Sequence, residues 1–567
     1  MSNNSLWLIL QKLRVPFLVL IIAYTIAIIG LVMLDGATND GEPYNMTIFD
    51  AFYFITYTAT TIGFGETPYT FTYSQRIWVS MMIYLTVIGW FYSIGSIISL
   101  LQDRVLIREI SRAKFKKQIR NLEEDFLIIL GYNATTKRII EKSLHKGFRV
   151  VVIEKNEERV NELMMQSYTP AVPVLQADIH DPVALGHSGI KSKYCKGLVS
   201  LFEDDSLNFR IAVTSKIINP KVPLAIKSTT ETLTENLTDI GVEIIENPFE
   251  IISSQIHLSL NSPSIYQIGK WIYNLDVLHK KQFKLPRGLY IVCGYGRMGR
   301  EIYKVLKENN IEAKFIEINK EKVSYSDLKD VTITNSYDTD LLKSLDIENA
   351  SVIVAGTKDD TLNLSILSIA RKINKNIVTV ARENELENYS IFKYSNIDFI
   401  FMPSRILIHK TINAIVNPMS DKFFYLVKSQ SEEFGAKLVE ELLEKIGESP
   451  DIYELMIDAE SANAIQDAIL KDSIVYLGDL TLRRDDRKIK NDVKPLLLQR
   501  ADKFYLLPDE AMPLKLSDKI LFATTRDAVE DIEYIAQNIY ELKYVTDNFR
   551  ADRKTWDGML EGYMYCK

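Results

Sequence analysis

The run Thr60, Thr61, Ile62, Gly63, Phe64, Gly65, Glu66 lies between two apolar stretches, and its residue types suit the binding of a bare cation. Glycine enters positive φ without a Cβ clash, so glycines alternating with bulky residues let consecutive carbonyls point one way. Several such loops around an axis would stack rings of carbonyl oxygens that replace an ion's hydration shell. A second stretch, Gly294, Tyr295, Gly296, Arg297, Met298, Gly299, stands between a strand-like and a helix-like run, with Glu317 downstream. Its glycines permit a tight turn and close approach of a pyrophosphate to a helix N-terminus, and Glu317 can accept hydrogen bonds from a ribose diol. An acid there repels a 2′-phosphate, which favours NAD or an adenine nucleotide (ADP or ATP) over NADP. Arg297 is placed to meet phosphate oxygens.

The elements around the first run are membrane elements by composition. Residues 15–34 carry no charge and match the roughly 20 residues a helix needs to cross the hydrocarbon core. Residues 77–101 likewise contain no Lys, Arg, Asp or Glu. Lys12 and Arg14 precede the first span, and Arg104, Arg108, Arg112, Lys114, Lys116, Lys117 and Arg120 follow the second, while the intervening loop is acidic before Arg76. The positive-inside rule therefore puts both termini in the cytoplasm and the loop outside. The basic run is suited to anionic lipid, and equally to a solvated helix face. Residues 47–58, aromatic and apolar, read as a short helix whose C-terminal end directs partial negative charge at a cation path. Gly89 is a hinge or a packing glycine on equal grounds, whereas packing is the preferred reading of Gly95.

At 567 residues the chain is too long for one core. Beyond a polar linker at 104–124, apolar strands alternate with amphipathic helices, which predicts a parallel sheet with helices on both faces. The pattern occurs twice. Phe126 to Gly131 with Glu154 is echoed by Tyr290 to Gly294 with Glu317, and Phe202 to Asn208 by Thr357 to Asn363. Tandem Rossmann-like units are the simplest account. The first unit's turn, Gly131, Tyr132, Asn133, Ala134, Thr135, Thr136, has lost two of three glycines, so a degenerate ligand site is expected at Gly131, Asn133, Glu154 and Asp178. Tyr337 falls where Asp178 does and is a candidate to stack on a base. Glu203, Asp204, Asp205, Asp359 and Asp360 are oxygen donors of the kind that holds Ca²⁺, or simply solvated loop acids. Cys195, Cys293 and Cys566 show no metal-ligand spacing and suit a reducing compartment. A net charge of −7 argues against nucleic acid as a partner.

With its neighbours in view, the run Thr61 to Glu66 resembles the T-V-G-Y-G-D filter of potassium channels, with Phe64 for the usual Tyr and Glu66 for the usual Asp. The resemblance implies K⁺ sites at Thr61, Ile62, Gly63 and Phe64. The whole chain is similar to prokaryotic two-span channels with tandem regulator-of-potassium-conductance (RCK, or KTN) domains. That family implies a homotetramer in the cell inner (plasma) membrane, multi-pass, with a nucleotide-gated ring below the pore, and no enzyme activity. The expected architecture is an α-helical two-span pore domain (1–103, with pore helix and filter at 47–66), a linker (104–124) and two α/β units. These are 125–288, ending in a helical crossover near 248–279, and 289–567, whose doubly wound part reaches about 416. From 417 onward an α+β C-terminal lobe is expected, with a helix near 434–446 and strands near Ile452, Ile474, Pro495 and Ile520. Two other readings are weighed. A membrane-tethered NAD-dependent oxidoreductase lacks a recognisable acid/base constellation among six scattered histidines. A regulatory subunit of a potassium uptake transporter would have no need of Gly63, Phe64 and Gly65.

Overall fold

The structure, a computed structural model, describes residues 3–280, 283–323 and 330–546; Cys566 and the end of the 417–567 lobe lie outside the described residues. Two long apolar helices, Asn3–Met33 and Tyr73–Leu101, pack along each other. Both are long and apolar enough to cross a bilayer, over Leu13–Met33 and Tyr73–Leu100. The second begins a turn earlier than the uncharged run because Thr72 caps it. Its hydroxyl accepts from Gln75 N while the Gln75 side chain accepts from Thr72 N. Between them stands the short helix Ile48–Ala59, capped in the same reciprocal way by Thr47 and Asp50.

The linker is not a loose tether. Arg104–Arg120 is helical, and its Phe115 and Ile119 are buried in the core of the first α/β unit. That unit is a six-stranded parallel sheet with strands in the order 3-2-1-4-5-6, counted along the chain from Phe126–Leu130 to Ile244–Glu246. The second sheet, from Tyr290–Cys293 to Phe399–Phe401, has the same order. Both carry the doubly wound dinucleotide-binding topology.

After its last strand each unit gives away its next helix. Pro248–Asn261, leaving the first unit, packs on Arg297–Glu308 of the second, where Phe249, Ile252, Ile256 and Leu260 join the core of Tyr290, Met298 and Ile302. Reciprocally, Pro403–Val416 leaves the second unit and packs on Ala134–His145 of the first, seating Leu407, Ile408 and Ile412 against Ile139 and Ile140. Each exchanged helix begins with proline, whose fixed φ and missing N–H suit a first helical position, and each is followed by another Pro-led helix, Pro263–Ile272 or Pro418–Lys428. The repeat thus extends past the sheets.

The C-terminal lobe has an antiparallel sheet ordered Asp451–Met456, Lys519–Thr524, Val493–Arg500, Lys503–Leu506. The expected helix is Glu432–Lys445. The strand anticipated near Ile474 does not form; the chain there makes only an isolated bridge between Tyr476 and Pro513. Helices from both units share the lobe's core. Trp271, from the first unit's side, is buried there and donates its indole N–H to Pro450 O at 2.8 Å.

Candidate functional site

In the loop after Ile48–Ala59, Thr61, Gly63 and Gly65 all have positive φ, +64°, +66° and +100°, while Ile62 and Phe64 between them do not. This alternation turns successive peptide planes so that their carbonyls face one side. The N–H groups are tied to the other side: Thr61 N donates to Thr58 O (3.0 Å), and Ile62 N and Gly63 N donate to Tyr57 O (2.8 and 3.3 Å). Among the described residues no group donates to the carbonyls of Thr61, Ile62, Gly63 or Phe64. Ile62 and Phe64 are more than half exposed in the single chain, as are Ile48, Phe49 and Ile88 nearby.

Phe64 cannot donate from its ring, and the hydroxyl comes instead from the short helix. Tyr57 OH donates to Gly65 O at 2.5 Å and lies 2.9 Å from Thr67 Oγ1, which then donates to it. The same Tyr57 ring meets Phe64 edge-on, with centroids 5.4 Å apart. Phe64 is therefore held by packing against Tyr57, and the Tyr57 hydroxyl adds a hydrogen bond one residue on. Glu66 is fixed separately by a bidentate fork from Arg76, at 2.8 and 2.9 Å, and by Phe71 N at 2.8 Å. Along Tyr73–Leu101, a Cβ on Gly89 would sit 3.6 Å from Ala23 Cβ, an ordinary contact with the first span. Gly95 faces open space within the single chain.

The two glycine turns of the α/β units differ in whether the helix behind them is already satisfied. In the first unit Asn133 Oδ1 accepts from Thr136 N and Thr136 Oγ1 accepts from Asn133 N, so Ala134–His145 is capped by its own side chains. The Phe202 ring fills the space over Gly131, 2.7 Å from where a Cβ would stand. Asp178 is engaged by the His180 N–H (3.0 Å), which with Lys155 (3.2 Å) and the His180 ring (2.9 Å) holds its carboxyl below the usual value. In the second unit Gly296 caps Arg297–Glu308 with no side-chain bond, and nothing lies within 4 Å of its Cβ position. An uncapped helix N-terminus with open space before it is an anion site. Gly294 (φ +106°) and Gly299 are required by closeness: a Cβ on Gly299 would stand 2.2 Å from Gly294 O.

Gly294, Gly296, Arg297, Met298, Glu317 and Tyr337 line one cleft. Its enclosed part is about 120 Å³, room for phosphate groups but not for a whole dinucleotide, which would extend beyond it. Tyr295 is turned inward instead, 1% exposed in the core. Tyr337 is also buried, so edge contact rather than open stacking is what it offers. Glu317 already accepts from Tyr295 N (2.7 Å), Ile318 N (3.1 Å) and Asn319 N (3.0 Å), and Glu154 holds Tyr132 N (2.6 Å) and Asn156 N (2.7 Å) in the same way. Both acids thus brace the turn, whatever they give a ligand.

The cleft has a second wall that the motif does not contain. Phe249, on the helix given by the first unit, lies under Arg297 (4.7 Å from guanidinium carbon to ring centre) and near Arg382 (5.9 Å). Glu203 of the first unit approaches Arg297 at 3.8 Å and is hydrogen-bonded to Lys227. Burial opposes ionisation of Glu203, yet Lys227, Arg297 and Arg382 together hold its carboxyl below the ordinary value. Burial, with Arg297 adding to it, lowers the Arg382 guanidinium, and Arg382 Nε is buried without a hydrogen-bond partner. Two arginines, one with an unpartnered Nε, beside an uncapped helix fit a pyrophosphate. Arg382 could have been found from the repeat, since it matches Lys227; Phe249 carried no signal. Among the described residues no group of three or more His, Cys, Asp or Glu is arranged to hold a metal ion. Glu203 and Asp360 are engaged, the latter by Asn384 and Asn388. Burial raises both described thiols, Cys195 to about 12.

Comparison with known proteins gives three family-model matches: "Ion channel" over 16–103, and "TrkA-N domain" over 127–248 and again over 290–403. Potassium channel protein 1 of Methanocaldococcus jannaschii is 23% identical over 258 residues, 45% of this chain and 73% of that one. Probable potassium channel protein 2 of the same organism is 28% identical over 129 residues, 22% of this chain and 38% of that one. Among solved structures, the GsuK channel bound to NAD is 14% identical and covers 95% of this chain and 100% of that chain, with a TM-score of 0.46. GsuK bound to ADP is 16% identical and covers 72% and 99%, with a TM-score of 0.43.

Proposed function

We propose that this chain, which belongs to the potassium channels with tandem TrkA-N (RCK) domains, conducts K⁺ as a homotetramer through Thr61 to Phe64 and is gated by NAD or an adenine nucleotide at Gly294 to Gly299. The observation that carries the reading is the alternating positive φ at Thr61, Gly63 and Gly65 with the N–H groups of Thr61, Ile62 and Gly63 tied to the supporting helix. It leaves four consecutive carbonyls to a cation and nothing else. Carbonyls without partners are tolerated at membrane depth only where protein or a water-filled path covers them, and one chain supplies no such cover. The exposed Ile62, Phe64, Phe49 and Ile88 supply apolar surface for neighbouring copies. The tetramer, the cell inner membrane and the cytoplasmic termini are part of this proposal, and the charge asymmetry of the spans supports the orientation.

The uncapped helix at Gly296, Arg297 and the unpartnered Nε of Arg382 support the nucleotide. Its bound adenosine part would have to extend out of the enclosed volume. Moving a gate from 1:99 to 99:1 takes about 5.5 kcal/mol of differential binding, which four subunits can share. The direction of the effect follows from whichever ring shape the ligand prefers. The chain is read as a channel and not an enzyme, and no divalent cation is assigned. The test is single-channel recording of the purified chain in lipid bilayers under opposed K⁺ and Na⁺ gradients, with and without NAD or ADP. A reversal potential following K⁺ and a nucleotide-dependent open probability are expected, the latter abolished in Gly296→Asp. A potential following Na⁺ refutes the pore assignment, and an unchanged nucleotide response in Gly296→Asp refutes the cleft. Turnover of NADH in the same preparation would favour the oxidoreductase reading.

A further inference from the structure

Away from the nucleotide cleft, the exchanged helices and those that follow them enclose a cavity of about 230 Å³. Pro248–Asn261 and Pro263–Ile272 line one side, Pro403–Val416 and Pro418–Lys428 the other, so each half of the repeat contributes a wall. In its wall Glu246, 3% exposed, receives Lys410 Nζ at 3.0 Å, and this buried pair balances itself. Around the pair the charges are not balanced. Glu250 has only Asn247 Nδ2 on Oε1, at 2.7 Å, and no cation at ion-pair distance among the described residues, with Lys304, Lys410 and Lys428 acting on it only through space. Asp421 is held by the neutral Tyr273 hydroxyl, at 2.7 Å. Lys428, at the open edge, has no hydrogen-bond or ion-pair partner among the described residues.

We propose that this cavity is a second ligand site, taking a small zwitterion whose ammonium group pairs with Glu250 and whose carboxylate pairs with Lys428. A cation alone would leave Lys428 unmatched, and an anion alone would leave Glu250 so; one molecule with both charges satisfies the two walls together. Burial raises the Glu250 carboxyl and lowers the Lys428 ammonium although both side chains keep contact with solvent, so each charge gains from a partner on its cavity side. Tyr273 and Phe424 supply aromatic surface for the chain between the two ends. The volume lies below the roughly 300–1,000 Å³ of pockets for drug-sized ligands, so an occupant of amino-acid size fits and a nucleotide does not. Because the walls belong to helices from both halves, an occupant favours the arrangement of the units that keeps both contacts. This site depends neither on conduction nor on the nucleotide assignment.

The experiment is calorimetry or saturation-transfer NMR on the purified full-length chain with the ω-amino acids glycine, β-alanine, γ-aminobutyrate and δ-aminovalerate, which space the same two charges progressively. Butyrate and butylammonium serve as one-charge controls. At least one ω-amino acid is expected to bind saturably, with both one-charge compounds weaker by about tenfold or more. Lys428→Met and Glu250→Gln should each weaken it by a similar factor. Lys428 is exposed and Glu250→Gln keeps the Asn247 bond, so both variants should fold, which an unchanged melting temperature would verify. NAD binding should persist in both. Absence of saturable binding across the series up to about 10 mM overturns the proposal, as does wild-type affinity in either variant or equal binding of the one-charge compounds.

Discussion

Replacing Tyr57 with phenylalanine tests the pore more sharply than any change in the filter itself. The ring is kept, with its edge contact to Phe64 at 5.4 Å, while the hydroxyl that donates to Gly65 O at 2.5 Å and accepts from Thr67 is removed. A hydrogen bond of this kind contributes about 0.5–1.5 kcal/mol net. The four copies of a tetramer would lose about 2–6 kcal/mol from the conducting conformation, between one and four powers of ten in its ratio to a collapsed one. Nothing in the ion-facing carbonyls changes, so selectivity should hold while long closures lengthen. Ions in the filter stabilise the conformation that binds them, and raising K⁺ should shorten those closures again. Single-channel dwell times of Tyr57→Phe at low and high K⁺, with Thr67→Val as the milder control, provide the measurement. Dwell times like those of the unmodified channel at every K⁺ concentration would refute the claim that the hydroxyl restrains the filter. A lost preference for K⁺ would refute the separation of restraint from coordination.

Three further outcomes are expected. Glu203→Gln releases Arg297 from a 3.8 Å pairing across the two units and should tighten nucleotide binding by up to about fivefold in calorimetry, since a pair this exposed is worth at most about 1 kcal/mol; weaker binding would show that Glu203 helps the ligand instead. Asn133→Ala removes the side-chain acceptor of a capping box while keeping the bond from its own N–H to Thr136 Oγ1, and should cost about 1 kcal/mol of stability, read as a lower melting temperature, without changing NAD or ADP affinity; a changed affinity would place a nucleotide in the first unit. Burial, with Asp360 adding and Arg405 opposing, pushes the Glu383 carboxyl up to about 7 from an ordinary 4.5, and both of its oxygens lack hydrogen-bond partners. The folded chain therefore keeps a proton that the unfolded chain releases, so its contribution is full below about 4.5 and is lost as pH rises through about 7. Glu383→Gln should melt higher than the unmodified chain at pH 8 and no higher near pH 4, whereas a lower melting temperature at pH 8 would mean that the ionised acid is stabilised by the fold.

The filter was legible because its task constrains residue types one by one: only glycine or a tolerated threonine sits at the three positive-φ positions, and the bulky residues alternate with them. The same holds for Gly294, Gly296 and Gly299, where a side chain would strike Gly294 O or close the anion space. Tyr57 was not legible, because in a run of aromatic residues nothing marks the one whose hydroxyl reaches eight residues forward. The exchange of helices was hidden for a different reason. Hydrophobic periodicity says that Pro248–Asn261 has an apolar face, but not which of two similar sheets it covers. Phe249, Glu203 and the mixed cavity exist only through that exchange. Lost glycines did mark the first unit as altered, yet the physical cause, a helix capped by its own Asn133, shows only in three dimensions. The false strand near Ile474 came from an apolar pair, Ile474 and Val475, in which only Val475 is buried.

The exchange also bears on how a ligand event would reach the pore. Phe249 occupies the first turn of Pro248–Asn261, directly after the last strand of the first unit, so a rearrangement around Arg297 bears on an element continuous with that unit's sheet. The first unit in turn holds Phe115 and Ile119 of the linker helix in its core, and only Gln102 and Asp103 separate that helix from the second span. A weakly docked linker would peel away before it transmitted force. Burying one phenylalanine is worth roughly 1.5–3 kcal/mol, so four Phe115 side chains supply about 6–12 kcal/mol. That is at least the 5.5 kcal/mol or so needed to move a gate across its range. In the proposed tetramer the linker therefore moves with the first unit rather than detaching from it, and the coupling runs through packed side chains from the nucleotide cleft to the foot of the inner helix.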